Sequence, residues 1–192
     1  MSQYFENDPK LASKITEMTF DFDGRTYHLR TDAGVFSKDR LDTGTRILLE
    51  TVIAHQSEPC SVLDMGCGIG SVSVILSHYW NSAFTMIDIN QRAADRAAEN
   101  IQRYHLQANL LCQDGITDGQ FDCIVFNPPI RTGKQTIYRL FDECLEHLNG
   151  TLWIVMRKQH GAASALKFFE EKGLEVHRVR RDKGYWVLQI LK

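Results

Sequence analysis

The stretch Ser61-Val62-Leu63-Asp64-Met65-Gly66-Cys67-Gly68-Ile69-Gly70 decides how this chain is read. Its first half is a short apolar run of strand type, and its second half is a glycine-spaced turn that opens a helix. Glycine allows φ > 0 and lets a ligand approach the backbone closely, at a cost of roughly 0.5 to 1 kcal/mol each relative to alanine in regular structure. A loop that carries this cost three times over is expected to be used for binding.

Downstream of this unit, short apolar runs alternate with amphipathic stretches. The strands are expected at Ser61 to Met65, Ala83 to Ile87, Asn109 to Cys112, Phe121 to Phe126 and Thr151 to Met156, with the clearest helices at Gln91 to Tyr104 and Thr136 to His147. Parallel neighbours need crossover connections, so the alternation predicts an α/β doubly wound, mostly parallel sheet covered by helices on both faces. The chain closes differently, with strand-like runs Leu174 to Arg180 and Gly184 to Leu191 around a turn at Asp182 to Gly184. That hairpin brings the expected count to seven strands and forces an antiparallel strand into the sheet. Upstream, Met18 to Phe22 and Arg25 to Arg30 flank Asp23-Gly24, a pair suited to a tight hairpin turn. A helix is expected next, because Ile47, Leu48, Val52 and Ile53 recur at helical spacing after the cap candidates Asp42 and Thr43.

At 192 residues the chain is long enough for one domain with a sizeable core. The five cysteines, Cys60, Cys67, Cys112, Cys123 and Cys144, are odd in number and form no C-x-x-C pair. They are read as reduced thiols packed as small hydrophobes, not as metal ligands, and His147, His160 and His177 also lack ligand spacing. The N-terminus has neither a basic nor an apolar leader pattern and no stretch is long enough to span a bilayer, so a cytoplasmic location away from membranes is expected. The net charge of −2 conceals an asymmetry: residues 1–126 carry 10 Lys+Arg against 17 Asp+Glu, net −7, whereas residues 127–192 carry 12 against 7, net +5. The basic C-terminal third is either a solvated surface or a local field that draws a polyanion.

The glycine spacing alone excludes a dinucleotide only weakly, since Ser71 would serve as the third small residue of that fingerprint. Charge discriminates better. Asp64 lies two residues before Gly66, where a pyrophosphate would meet a carboxylate, whereas S-adenosylmethionine brings an ammonium and a sulfonium and no phosphate. The alternative role for Asp64 is to cap the helix that follows. Asp88, at the end of the second strand, is placed to accept from ribose hydroxyls. Asp114, in Gln113-Asp114-Gly115, is either a partner for the adenine amine or an ordinary turn aspartate.

Asn127-Pro128-Pro129-Ile130 ends the fourth strand. Proline fixes φ and restricts its predecessor, so the Asn127 side chain and the Pro128 carbonyl form a stiff pair of acceptors. A planar NH2 offers two protons to such a pair, which leaves its nitrogen lone pair aimed at an incoming methyl group. The protein's contribution to such a transfer is positioning and desolvation, with no metal needed.

Taken together, Asp64-Met65-Gly66-Cys67-Gly68-Ile69-Gly70, Asp88, Gln113-Asp114-Gly115 and Asn127-Pro128-Pro129 resemble class I S-adenosylmethionine-dependent methyltransferases that act on exocyclic amines. Gly34-Val35-Phe36-Ser37, Leu41-Asp42-x-Gly44 and Ile130-Arg131-x-Gly133-Lys134 narrow the resemblance to the methyltransferase small-domain (MTS) family. That family includes the catalytic domain of RsmC-like enzymes, bacterial guanine-N2 methyltransferases of small-subunit ribosomal RNA. The resemblance covers roughly residues 15–192. It implies a Rossmann-like fold, with residues 1–40 an extension that covers substrate or cofactor and residues 41–192 the methyltransferase domain, the whole forming one compact unit. It also implies cofactor contacts from Asp64, Gly66, Cys67, Gly68, Gly70, Asp88, Ile89, Asp114, Gly115 and Asn127, with S-adenosylhomocysteine as the product. Phe36, Ser37, Arg131 and Lys134 would meet the substrate, Asp42 and Gly44 would support the same wall, and Asn127 to Ile130 would present the amine.

Two departures qualify the transfer. Ile130 stands where many amine methyltransferases carry an aromatic ring that stacks on the base, a contact worth roughly 1 to 3 kcal/mol. The resemblance does not extend to the long N-terminal duplicate domain with which the ribosomal guanine enzymes engage RNA, and Arg131, Lys134, Arg157, Lys158, Arg178, Arg180, Arg181 and Lys183 are expected to serve in its place. RNA, ribosomal RNA or a ribosomal subunit, is thus the expected partner. A protein glutamine amide offers the same NH2 and stays open as a rival substrate, as does a noncatalytic module that binds S-adenosylmethionine or RNA. Trp153 and Trp186 are read as core or sheet surface, not as a stacking platform.

Overall fold

The computed structural model describes residues 13–33, 35 and 40–192. An antiparallel hairpin comes first, β1 (Thr16–Phe22) and β2 (Arg25–Thr31), turned at Asp23-Gly24 with φ of 47° and 74°. Two successive positive φ values make the hairpin turn whose twist suits the flanking strands, as the Asp-Gly pair predicts. Helix α1 (Thr43–His55) follows, capped by the Asp42 carboxylate, which accepts from the Thr45 N–H at 2.9 Å.

The main body alternates β3 (Ser61–Met65), α2 (Ser71–Leu76), β4 (Ala83–Asp88), α3 (Gln91–Arg103), β5 (Ala108–Cys112), β6 (Phe121–Phe126), α4 (Lys134–Glu146), β7 (Leu148–Arg157), α5 (Ala162–Glu171), β8 (Glu175–Asp182) and β9 (Tyr185–Leu191). The seven-stranded sheet runs β5-β4-β3-β6-β7-β9-β8, parallel except for β9, which is antiparallel to both neighbours. The expected doubly wound sheet with a terminal hairpin is therefore the observed one. Strand β7 outruns its expected span because it is hydrogen-bonded on both sides, reaching Leu148 opposite Phe121 and Arg157 opposite Tyr185. Helix α4 begins two residues before the expected Thr136, since Gly133, at φ 92°, releases the chain from a short 3-10 turn directly into it.

Strand side chains alternate between two apolar layers. Val62, Cys123, Val125, Trp153 and Val187 face the layer containing α1, α2 and the hairpin residues Phe20, Tyr27 and Leu29. Leu63, Ile124, Phe126, Leu152 and Ile190 face α4 and α5 through Phe141 and Phe169. Each fully buried side chain of this size contributes about 1.5 to 3 kcal/mol, so the two layers hold the sheet rigid beneath its loops. Trp153 is fully buried and donates its ring N–H to Gln56 Oε1 at 2.9 Å, a core position as expected. All five cysteines are free thiols; Cys67, Cys123 and Cys144 are buried, as expected of most of them, while Cys60 and Cys112 are exposed. Cys60 precedes β3, and Cys112 ends the edge strand β5.

Candidate active site

Strand order reverses at β3, whose sequence successor β4 lies on one side while β6 lies on the other. Met65 is paired with both Ile87 and Phe126, so the next residues in each strand, Gly66, Asp88 and Asn127, emerge side by side at the carboxyl edge. This is the crevice where doubly wound sheets take ligands.

The turn after β3 is made by Gly66, Gly68 and Gly70 at φ of 67°, 56° and 86°, a left-handed conformation costly for any residue with a Cβ. Gly70 also caps α2 and has no room to change, since a Cβ there would sit 2.8 Å from Met86 Cε. The loop is held from below: the Cys67 N–H donates to Ile87 O at 2.9 Å and the Gly68 N–H to Asp88 Oδ2 at 2.7 Å. Asn100 of α3, fully buried, donates through Nδ2 to Ile69 O at 2.9 Å and to Arg30 O at 3.0 Å, while its Oδ1 accepts from the Arg30 N–H at 2.7 Å. One amide thus locks the glycine loop, α3 and the N-terminal hairpin together.

Asp64, only 2% exposed, accepts from the Ser73 N–H at 3.2 Å and the Ser73 hydroxyl at 2.8 Å. Because Ser73 is the third residue of α2, the carboxylate satisfies one of that helix's unpaired amides, which is the capping role considered from the sequence. Burial pushes its carboxyl up to about 7, opposed by the two Ser73 bonds and reinforced by the Asp88 charge. A buried acid with so high a pKa is stabilised in its ionised form by an incoming cation. Burial also pushes the Cys67 thiol well up, so it lines the loop as a neutral group.

Asp88, 3% exposed, anchors the loop through Gly68 and accepts from the Asn90 N–H at 2.8 Å, which sets the start of α3. Ile89 next to it is 40% exposed, an apolar face at the lip of the crevice. Asp114 accepts from Arg139 at 2.6 Å, and Arg139 also bonds Glu143. Glu143 in turn accepts from the Ile116 N–H at 3.0 Å, and a Cβ on Gly115 would collide with its carboxylate. The turn at 113–116 is therefore packed against α4.

Asn127 is half-buried, and its amide Nδ2 donates to Asp42 Oδ2 at 3.2 Å and to Thr45 Oγ1 at 3.0 Å. An ionised carboxylate only accepts, so the NH2 end must face Asp42 and the Oδ1 end must face away. The Pro129 carbonyl accepts from Thr132 N–H at 3.0 Å and Thr132 Oγ1 at 2.7 Å, which closes the turn. Among the described residues the carbonyl of Pro128 receives no donor, leaving Asn127 Oδ1 and Pro128 O as the pair of acceptors beside the glycine turn. Ile130 is half-buried at the start of the turn that follows, with Arg131 exposed beside it and Lys134 Nζ 5.1 Å over the Tyr138 ring. Phe36 and Ser37 lie outside the described residues.

Thr45, Asn100 and Tyr185 escaped sequence reasoning. Tyr185 packs where a Cβ on Gly44 would lie 2.8 Å from its ring, and its hydroxyl accepts from Arg157 Nε at 2.9 Å. Only Asn100 left a trace in the sequence, as a polar residue on the apolar face of a helix.

The donor set fits a cationic nucleoside better than a phosphorylated one. Two buried carboxylates flank the glycine turn, an apolar face lies at the lip, and residues 61–90 contain no Lys or Arg. Among the described residues no group of three or more His, Cys, Asp or Glu could hold a metal ion, and no helix is long and apolar enough to cross a membrane.

The family model for the methyltransferase small domain matches residues 26–189. YbxB, an uncharacterized protein of Bacillus subtilis, is 32% identical over 98% of both chains. Ribosomal RNA small subunit methyltransferase C of Haemophilus influenzae is 40% identical over 64% of this chain and 39% of its own length, and the Salmonella choleraesuis enzyme is 32% identical over 78% and 45%. The chain therefore spans less than half of these named relatives. The T. thermophilus 16S rRNA N2 methyltransferase RsmC, solved with AdoMet and guanosine, superposes with a TM-score of 0.83 at 22% identity, over 96% of this chain and 52% of that one. The likeness to that structure establishes the shared fold.

Proposed function

We propose that this chain, which belongs to the methyltransferase small-domain family of S-adenosylmethionine-dependent methyltransferases, methylates the exocyclic amine of an RNA base, specifically guanine N2 of small-subunit ribosomal RNA. The observation that carries this reading is the Asn127 side chain, whose Nδ2 is held by Asp42 and Thr45 so that Oδ1 is left to accept, next in the chain to the Pro128 carbonyl. Two acceptors match the two protons of a planar NH2 and orient its nitrogen toward the loop. S-adenosylmethionine, when bound, supplies the methyl as a sulfonium-borne electrophile and leaves as S-adenosylhomocysteine. Asp64, Gly66, Cys67, Gly68 and Gly70 would hold its methionine end, Asp88 its ribose, and Ile89, Asp114 and Gly115 its adenine.

RNA is favoured over other amines by the relatives, which are named as ribosomal RNA methyltransferases. The guanine N2 assignment follows the T. thermophilus enzyme, a 16S rRNA N2 G1207 methyltransferase solved with guanosine. We assign residues 1–40 to an extension that covers cofactor or substrate and residues 41–192 to the transferase domain, with Phe36 and Ser37 meeting the target base and Arg131 and Lys134 the substrate. Ile130, half-buried where a stacking ring would serve a base, favours a second reading, a protein glutamine amide. Incubating the protein with methyl-labelled cofactor and RNA from cells lacking it, then mapping the modified nucleotide, tests the proposal. Label in guanine N2 is expected; label in protein alone would support the glutamine reading, and no label in either would leave a binding module.

A further inference from the structure

The structure sorts the cations of the basic C-terminal third into two groups. Arg139, Lys167, Lys172 and Arg180 have carboxylate partners and Lys192 donates to the Leu145 carbonyl, while Arg178, without a carboxylate partner, lies within β8, 4.4 Å over Trp186. Arg131, Lys134, Arg157, Lys158, Arg181 and Lys183 also have no carboxylate partner among the described residues, with Lys134 5.1 Å over the Tyr138 ring and Arg157 4.9 Å over the Tyr185 ring. All six follow or end β6, β7 and β8, whose carboxyl ends share the edge from which Asn127 emerges. Of the cations expected from the sequence to engage RNA, Arg180 is paired with Glu50 and Asp182, and Arg178 lies within β8 away from this edge.

Three of the unpaired cations converge. Arg157, Lys158, Gln159, Lys183 and Gly184 line an open notch of about 400 Å³ at the end of β7. The notch is built, because the Lys158 N–H donates to Gly184 O at 2.8 Å and so ties the two lysine-bearing segments together. Lys183 holds its place at φ 47° in a turn position that suits Asn or Asp, a left-handed conformation that a lysine adopts at a cost. Asp182, next to Lys183 in the chain, is paired with Arg180 at 2.6 Å, and Arg180 also pairs with Glu50. Phe126 is paired with Ile154, which sets Asn127 level with Val155, so Arg157 lies two residues, about 7 Å, further along the neighbouring strand. That is of the order of one or two nucleotide steps. Arg157 is also joined to the site through Tyr185, whose ring rests against Gly44 beside Asp42.

We propose that Arg157, Lys158 and Lys183 form a phosphate-binding notch that grips the RNA backbone next to the target nucleotide. This rests on the reading of the site as an RNA base methyltransferase. Unpaired cations gathered at one edge, while Arg139, Lys167, Lys172 and Arg180 of the same third of the chain are paired with acids, fit a polyanion track.

Binding of a labelled fragment of small-subunit ribosomal RNA, followed by anisotropy across a salt series, tests it. The double variant Lys158→Gln, Lys183→Asn keeps the turn and removes two charges, and Lys167→Gln with Lys172→Gln removes the same charge from paired cations. The notch variant is expected to flatten the slope of log K against log salt by about 0.7 per cation, roughly 1.4 in all, with the control slope unchanged. Equal slopes in both variants overturn the notch, as does wild-type protein that binds an acidic polypeptide but not RNA. Methyl transfer to RNA with equal slopes sinks the notch alone. A flattened slope without any transfer supports the notch and overturns the catalytic reading.

Discussion

The two halves of the site use the same functional group in opposite ways. On the cofactor side, the carboxylates of Asp64 and Asp88 are buried and turned onto the backbone of the loop they serve, bonding Ser73 and Gly68. On the acceptor side, the Asp42 carboxylate is turned onto a side chain and decides which end of the Asn127 amide faces the crevice. The first arrangement builds a shape and a negative field, and tolerates variation in the ligand's details. The second sets a direction, which a small error would spoil.

The sharpest break of this contrast is Asn127→Ala. It removes one of the two acceptors and is expected to lower kcat by about 10³-fold, within the range for losing a preorganised polar group at a reacting centre, with cofactor affinity little changed. A matching loss of affinity in calorimetry would show that Asn127 belongs to the cofactor half. Next in size is Asp88→Ala, expected to raise the Kd for S-adenosylmethionine by about 10- to 100-fold, the worth of a charged hydrogen bond, while kcat at saturating cofactor holds. An unchanged Kd would remove Asp88 from the ribose.

Thr45→Val sharpens the comparison, because it deletes the hydroxyl that accepts from the Asn127 NH2 and donates to Asp42. The expected loss is about fivefold in kcat with cofactor Kd constant, about 1 kcal/mol for a neutral hydrogen bond, and Thr45→Ser should restore the rate. A structural role alone would lower stability and leave the ratio of kcat to KM untouched.

The smallest effect concerns protons. The folded-state pKa of Asp64, about 7, lies above its ordinary 3.8. Its contribution to stability is therefore complete below about pH 4 and is lost as pH rises through 7, at about 1.4 kcal/mol per pH unit in between. A cationic ligand favours the ionised form, so cofactor binding at pH 6 should release up to one proton. Binding heats measured in two buffers of different ionisation enthalpy should differ for the wild type and coincide for Asp64→Asn. Coinciding heats in the wild type would mean that no cation is felt at Asp64.

The cofactor half was largely legible in the sequence because it is local. A glycine-spaced turn between a short apolar run and a helix is written within ten consecutive residues, and its geometry follows from backbone sterics at those positions. The acceptor half was only partly legible. Asn127-Pro128-Pro129 announced two stiff acceptors, yet which atoms face the crevice depends on Asp42 and Thr45, more than 80 residues earlier.

The sequence by itself determined the strand and helix alternation, the two type-specific hairpin turns and the identity of the polar groups at each strand end, since periodicity and turn chemistry act between near neighbours. Tertiary structure decided the rest. Only the packed sheet shows that Asn100 joins the loop to the hairpin, that Asp64 serves as a cap, that Asp114 is bound to Arg139, and which lysines and arginines are left without an acid. Those are matters of distance between remote residues, and charge pairing and burial exist only once the chain has brought such residues together.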